Sequence, residues 1–148
     1  MNLLEQTCEQ IFPQDNDYRR KAEARLGQLT MPHWALGDIM DLAVDLAGIT
    51  RSMSPASRKK VIVTMAGDHG VVEEGVSKFP AEVTLQMVLN IVSGGAGINA
   101  LATQAGADVV VVDMGVDADL SDLSGTAHFI SRKIAPGTNN IAIGPAMS

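Results

Sequence analysis

The chain has 148 residues, 46% of them hydrophobic and 19% charged, with a net charge of −6; that is enough for one packed core and is not the composition of a disordered chain. The acidic balance excludes a nucleic-acid surface, which needs a basic stripe, and the run Arg58-Lys59-Lys60 reads as a solvated strand entry. Cys8 stands alone, which excludes an intramolecular disulfide and a cysteine-built zinc site. No basic leader and no apolar run near ~20 residues is present, so the expectation is a soluble, cytoplasmic protein with no membrane partner.

Residues 1–29 read as one or two polar helices broken near Pro13 and ending near Gly27, followed by the turn-rich "TMPHWALG". From Asp38 the pattern changes. Ile39, Leu42, Ala43, Leu46 and Ala47 recur at helical spacing with Asp38, Asp41 and Asp45 on the other side, which predicts an amphipathic helix with those apolar residues inward. The composition break divides the chain into an amino-terminal helical segment, 1–37, and an α/β part, 38–148. "TRSMSPAS" is a linker. "KVIVTMA" is short, continuous and β-branched, as a strand covered on both faces reads.

The loop "GDHGVVEEGVSKF" comes next, and Pro80 then opens a helix, where its missing N–H costs nothing. Within "AEVTLQMVLNIVS", Glu82, Gln86, Asn90 and Ser93 share one face; that stripe is either a solvent edge or a pocket or subunit contact. "GGAGINALATQAG" is a second helix ending at Gly106 as a cap, and "ADVVVVDMG" a second buried strand. "VDADLSDLSG" is an acidic loop, "HFISRKI" a weaker strand, and "PGTNNIAIGPAMS" is turn-rich. Strand, helices, strand predicts a parallel pair with a crossover in a Rossmann-like, doubly wound α/β sheet. Ligands bind such sheets beyond the carboxyl ends of the strands, where the loop from Asp68 and the loop from Asp113 both lie.

Three sets of residues could carry chemistry. Gly95-Ala96-Gly97-Ile98-Asn99-Ala100 matches G-x-G-x-x-A, with Asp113 downstream at a strand end. This would make a nicotinamide-dinucleotide site of an oxidoreductase through Gly95, Gly97 and Ala100, provided Met87–Val92 is a strand. The helical reading of that stretch argues against it. Asp68, His69, Asp113, Asp117, Asp119 and Asp122 include metal-ligand types, but no metal-binding spacing appears and no metal is expected; His33 and His128 read as structural or exposed. In the third set, Gly67, Gly70 and Gly75 permit close backbone approach around Asp68 and His69. That loop either shapes the sheet edge or contacts a ligand.

The segment "AGDHGVVEEGVSKFPAEVTLQMVLNIVSGGAGINALATQAGADVVVVDMGVDAD", with "LAVDLAGI" before it and "RKIAPGTNNIAIGPAMS" after it, resembles the nicotinate-nucleotide:dimethylbenzimidazole phosphoribosyltransferase family over roughly residues 25–148. The resemblance implies an enzyme, a pentosyltransferase of cobalamin lower-ligand synthesis. It would join nicotinate mononucleotide and 5,6-dimethylbenzimidazole to give α-ribazole phosphate and nicotinate, without metal or cofactor and as a homodimer. It implies a benzimidazole slot floored by Asp68, His69 and Gly70. Ser77, Phe79, Gln86, Met87 and Asn90 would surround it, with Phe79 and Met87 as apolar walls and Gln86 and Asn90 as polar guides. The family's K-P-x-G-S-L-G segment reads Met31-Pro32-His33-Trp34-Ala35-Leu36-Gly37 here, without its Lys, Gly and Ser. The family's catalytic glutamate is expected beyond Ser148, and nothing in the sequence makes Glu73 or Glu74 its substitute. The chain thus reads as the amino-terminal part of such an enzyme, catalytically incomplete, or as a non-catalytic base-binding or assembly fragment.

Overall fold

The computed structural model describes residues 2–147, and its contacts divide the chain into two units, Met1–Arg58 and Lys59–Ser148. The first holds three helices: α1 (Leu3–Glu9), α2 (Asn16–Leu26) and α3 (Asp38–Thr50). Each start follows from local chemistry. The Asn2 side chain accepts from the Glu5 N–H at 2.9 Å while the Glu5 carboxylate takes the Asn2 N–H at 2.9 Å, a reciprocal capping box. Asp15 caps α2 by accepting from the N–H groups of Asp17 and Tyr18, at 2.9 and 3.1 Å. Pro13 lies in the break between them, as the sequence predicts.

Helix α3 presents the expected face to its neighbour only in part: Ala47 is buried and Ala43 and Leu46 half-buried. Met40, Val44, Ala47 and Gly48 are its buried residues, while Ile39 and Leu42 remain 67% and 56% exposed. The helix is apolar on two sides, and backbone approach decides between them. A Cβ at position 48 would lie 2.7 Å from Arg19 Cγ, so the small Ala47–Gly48 side lets the Arg19 side chain lie against it, with the guanidinium on Asp45. Ala22, Val44 and Ala47 form the seam, with Leu26 and Trp34 packed against it. Because α3 packs on α2, the contact boundary falls after Arg58 and not at the 37/38 composition break.

The second unit is a parallel sheet in the order β1-β2-β3, formed by β1 (Lys60–Gly67), β2 (Ala107–Gly115) and the short β3 (Phe129–Ser131). Val63 pairs with Val110, and Val112 with Ile130. The crossover from β1 to β2 runs through α4 (Glu82–Val92) and α5 (Gly97–Ala105). Gly106 ends α5 at φ 63°, the left-handed cap expected of it. Glu82–Ala105 as one helix would be long and apolar enough to cross a bilayer. Gly94 at φ 85° and the extended Ala96 break it into helices of 11 and 9 residues, so α4 is only about 16 Å long against a hydrocarbon core of about 30 Å.

Val88, Val111, Val116, Leu120 and Phe129 make the core. Strand β2 buries alternate residues completely, but β1 departs from the expectation of cover on both faces: Val61, Val63 and Met65 are 55%, 53% and 72% exposed. The cause is its place at the sheet edge, with α4 as its helical neighbour on one face only. Phe129 (5% exposed) and Ile130 (41%) point to opposite faces of β3 and separate the two environments. Phe129→Ala is expected to lower unfolding free energy by about 3–5 kcal/mol in urea denaturation and Ile130→Ala by less than about 1 kcal/mol. Equal losses would contradict the one-sided core.

Candidate functional site

At the carboxyl end of β1 the ladder register shifts between Ala66 and Gly67, so that Gly67 pairs with Gly115. Such an irregularity re-aims the chain as it leaves the sheet. Asp68 and His69 follow. A 3₁₀ turn at Gly70–Glu74 ends at Gly75, whose φ of 68° admits glycine most readily. The Ser77 hydroxyl oxygen accepts the Phe79 N–H at 3.1 Å, a local turn that sets the Phe79 backbone just before α4. The loop, the strand end and α4 enclose a cleft of about 480 Å³, within the range of small-molecule sites.

Four polar contacts hold this loop. The Asp68 N–H donates to the Gly115 carbonyl at 2.9 Å, and the Asp68 carbonyl accepts the Thr138 N–H at 3.0 Å. The Asp68 carboxylate accepts the Asp117 N–H at 2.8 Å. The Gly70 N–H donates to the Thr138 carbonyl at 3.1 Å. Segment 136–140 thus lies across the loop as a strap, with His69 and Thr138 paired in a parallel bridge. A Cβ at position 70 would lie 2.7 Å from both Asn140 N and Thr138 O, so only glycine lets the strap come this close. The Asn140 amide donates to a Glu74 carboxylate oxygen at 2.7 Å and fastens the strap's far end.

Below the strap Asp113, 1% exposed, accepts from the N–H groups of Gly115 and Val116 at 3.1 and 2.9 Å, and its second oxygen is 3.4 Å from Lys133 Nζ. Farther along the same loop, the Asp119 carboxyl titrates below the ordinary aspartate range. The Ser121 N–H, 2.9 Å away, and then its hydroxyl stabilise the charged form.

Asp68, His69, Ser77, Phe79 and Met87 all line the cleft. Gly70 does not; it lies under the strap and serves through its lack of a side chain. Gln86 and Asn90, expected as polar guides, are not among its lining residues. Val83, Thr84, Met87, Val88 and Ile91 face the cleft, while Gln86 and Asn90 are exposed and flank that face on the Val83 side.

The dinucleotide alternative fails on its own condition. Met87–Val92 lies inside α4, so the glycines follow a helix and not a strand. Gly95 and Ala100 border a separate polar hollow beside Asp108 and Val109, at the amino end of β2, opposite to where such sheets bind ligands. The Asn99 side chain closes that turn by accepting the Ala96 N–H at 3.1 Å and donating to the Ile91 carbonyl at 3.0 Å. Sequence reasoning missed the strap and Lys133. Both lie in "RKIAPGTNNIAIGPAMS", which carries the family resemblance but no local pattern that announces these contacts.

The close approach at Gly70 gives a direct test. Gly70→Ala is expected to destabilise the chain by about 1–3 kcal/mol in thermal unfolding, because the backbone of the strap must move. Gly97→Ala, with nothing within 4 Å of the added methyl, is expected to be neutral or stabilising by up to about 1 kcal/mol. Similar effects at the two positions would remove the strap from the account.

A family model described as Phosphoribosyltransferase matches residues 11–148. The nicotinate-nucleotide–dimethylbenzimidazole phosphoribosyltransferases of Desulfotalea psychrophila and Syntrophotalea carbinolica are 64% and 60% identical to it over 148 residues, all of this chain and 42% of each relative. A crystal structure of the Thermus thermophilus enzyme of that name superposes with a TM-score of 0.79 at 43% identity, over 90% of this chain and 40% of that one. The chain therefore spans well under half the length of the relatives it matches. With its parallel sheet, its strapped loop and these likenesses, the chain belongs to the phosphoribosyltransferase family that includes the nicotinate-nucleotide–dimethylbenzimidazole enzymes.

Proposed function

We propose that this chain supplies the base-binding part of an enzyme that moves phosphoribose from nicotinate mononucleotide to 5,6-dimethylbenzimidazole. The observation that carries this reading is that five positions singled out by resemblance, from Asp68 to Met87, line one cleft whose remaining walls are mostly apolar: Val71, Val72, Val76, Val83 and Ile91 among them. A flat bicyclic base has little to offer but apolar area and an azole edge. Such a cleft rewards the first by burial and leaves few groups to meet the second.

In the proposed reaction one azole nitrogen attacks the anomeric carbon, and the bond from that carbon to the pyridinium nitrogen breaks. The bonding pair returns to that nitrogen and cancels its positive charge, so the leaving group needs no acid. The attacking base must instead lose the proton on its other nitrogen, which calls for a positioned general base. Two acids near the cleft help to hold it: the Asp68 carboxylate accepts from Asp117, and that of Glu74 from Asn140. Following the family resemblance, we place the general base, and the phosphate-holding amides, in the part of the relatives that these 148 residues do not match, and read the chain as binding without turnover.

Calorimetric titration of 5,6-dimethylbenzimidazole into the chain is expected to show binding, with no binding of NAD under the same conditions. Phe79→Ala is expected to weaken the benzimidazole about tenfold through lost aromatic contact, and Gln86→Ala to leave it unchanged. An effect of Gln86→Ala as large as that of Phe79→Ala would move the site off the cleft. With both substrates present the chain alone is expected to release no nicotinate. Steady release would put the general base within these residues and overturn the division of labour.

A further inference from the structure

We propose that Asp113 and Lys133 form a positioning pair that sets the floor of the cleft through the carbonyl of Gly115; its effect on a bound base rests on the reading above. The Gly115 peptide is the junction. Its carbonyl accepts two N–H groups, from Asp68 at 2.9 Å and from Gly137 at 3.0 Å, so the cleft loop and the strap hang from one oxygen. Its own N–H is fixed by the Asp113 carboxylate at 3.1 Å, together with that of Val116 at 2.9 Å. The other oxygen of Asp113 faces Lys133 at 3.4 Å, and the Lys133 ammonium also donates to the Ala118 carbonyl at 2.6 Å. Lys133 therefore ties Ala118, within the 116–119 loop, to the segment that leads into the strap. Asp117, whose N–H orients the Asp68 carboxylate at 2.8 Å, lies between those ties.

Neither residue lines the cleft. Their chemistry suits positioning. A carboxylate buried to 1% exposure needs partners for both oxygens, and here it has two N–H donors on one and a cation near the other. A buried carboxylate bonded in this way, with a partly exposed lysine on its second oxygen, fixes one arrangement of the backbone groups it touches, and supports of this sort decide whether a site is held at its working geometry. The pair fixes the loop that carries Asp68, and with it His69, against the strap.

The test reads the floor and the base separately, on the full chain. Amide hydrogen exchange is measured for wild type, Lys133→Met and Lys133→Arg, and 5,6-dimethylbenzimidazole is titrated into each. In Lys133→Met the amides of Asp117, Gly137 and Thr138 are expected to exchange on the order of tenfold faster, with those of Val111 and α4 unchanged. Benzimidazole affinity is expected to fall on the order of tenfold, and Lys133→Arg to restore most of both. Unchanged exchange at the three amides overturns the pair's role, and so does faster exchange spread equally through β2 and α4, which marks a merely structural residue. Unchanged base affinity beside locally faster exchange overturns the link to the base. If the wild-type chain binds no benzimidazole, the base-binding reading fails by itself, and the exchange data alone decide whether the pair positions the floor.

Discussion

Everything at the site depends on how one strand end is held open. A parallel sheet stops making ladder bonds at its carboxyl edge, and the backbone groups released there must find partners elsewhere. In this chain they find them in each other. The carbonyl of Gly115, the last residue of β2, takes the first N–H after β1 and an N–H of the strap. The cleft is the space left on the α4 side once those bonds are made. Its floor can carry Asp68 and His69 without a helix or strand beneath them because the loop is tied at both ends and across its middle.

Glycine placement decides whether that arrangement is reachable. The strap passes so near Gly70 that any side chain there would meet its backbone, and a Cβ at position 115 would lie 3.0 Å from the Ala135 carbonyl oxygen. These are demands of close approach and not of flexibility. Met87 and its helical neighbours then supply a wall that is apolar by the same periodicity that makes α4 a core helix. One face of α4 serves both ends: Val88 packs into the core while Met87, beside it and 43% exposed, stays open to the cleft.

Much of this was legible in the sequence, for identifiable reasons. Elements announced by strong local chemistry came out where expected: the break at Pro13, the cap at Gly106, and the parallel pair inferred from "VIVT" and "VVVV", while α4 starts at Glu82, two residues after the Pro80 expected to open it. Less legible was the choice between faces. In α3 Ile39 and Leu42 of the expected side stay exposed, while Ala47 of that side is buried together with Met40, Val44 and Gly48, where Arg19 approaches closely. In α4 the polar stripe of Gln86 and Asn90 is exposed and flanks the cleft wall, and periodicity alone does not distinguish a solvent edge from a contact face. In β1 a continuous apolar run predicted cover on both faces, but whether a second layer is present is not a local property. The ties of Lys133 and the strap were invisible because they join residues far apart in sequence, several of them through backbone groups, which carry no residue signature.

The central claim is that a flat azole base occupies the cleft against Phe79 and Met87. The most direct test is a methyl-detected NMR titration of the methionine-labelled chain with 5,6-dimethylbenzimidazole. The aromatic ring should shift the Met87 ε-methyl signal strongly and saturably, while Met40, buried in the helical unit, stays unmoved. Saturable binding that leaves the Met87 methyl unchanged would contradict the account.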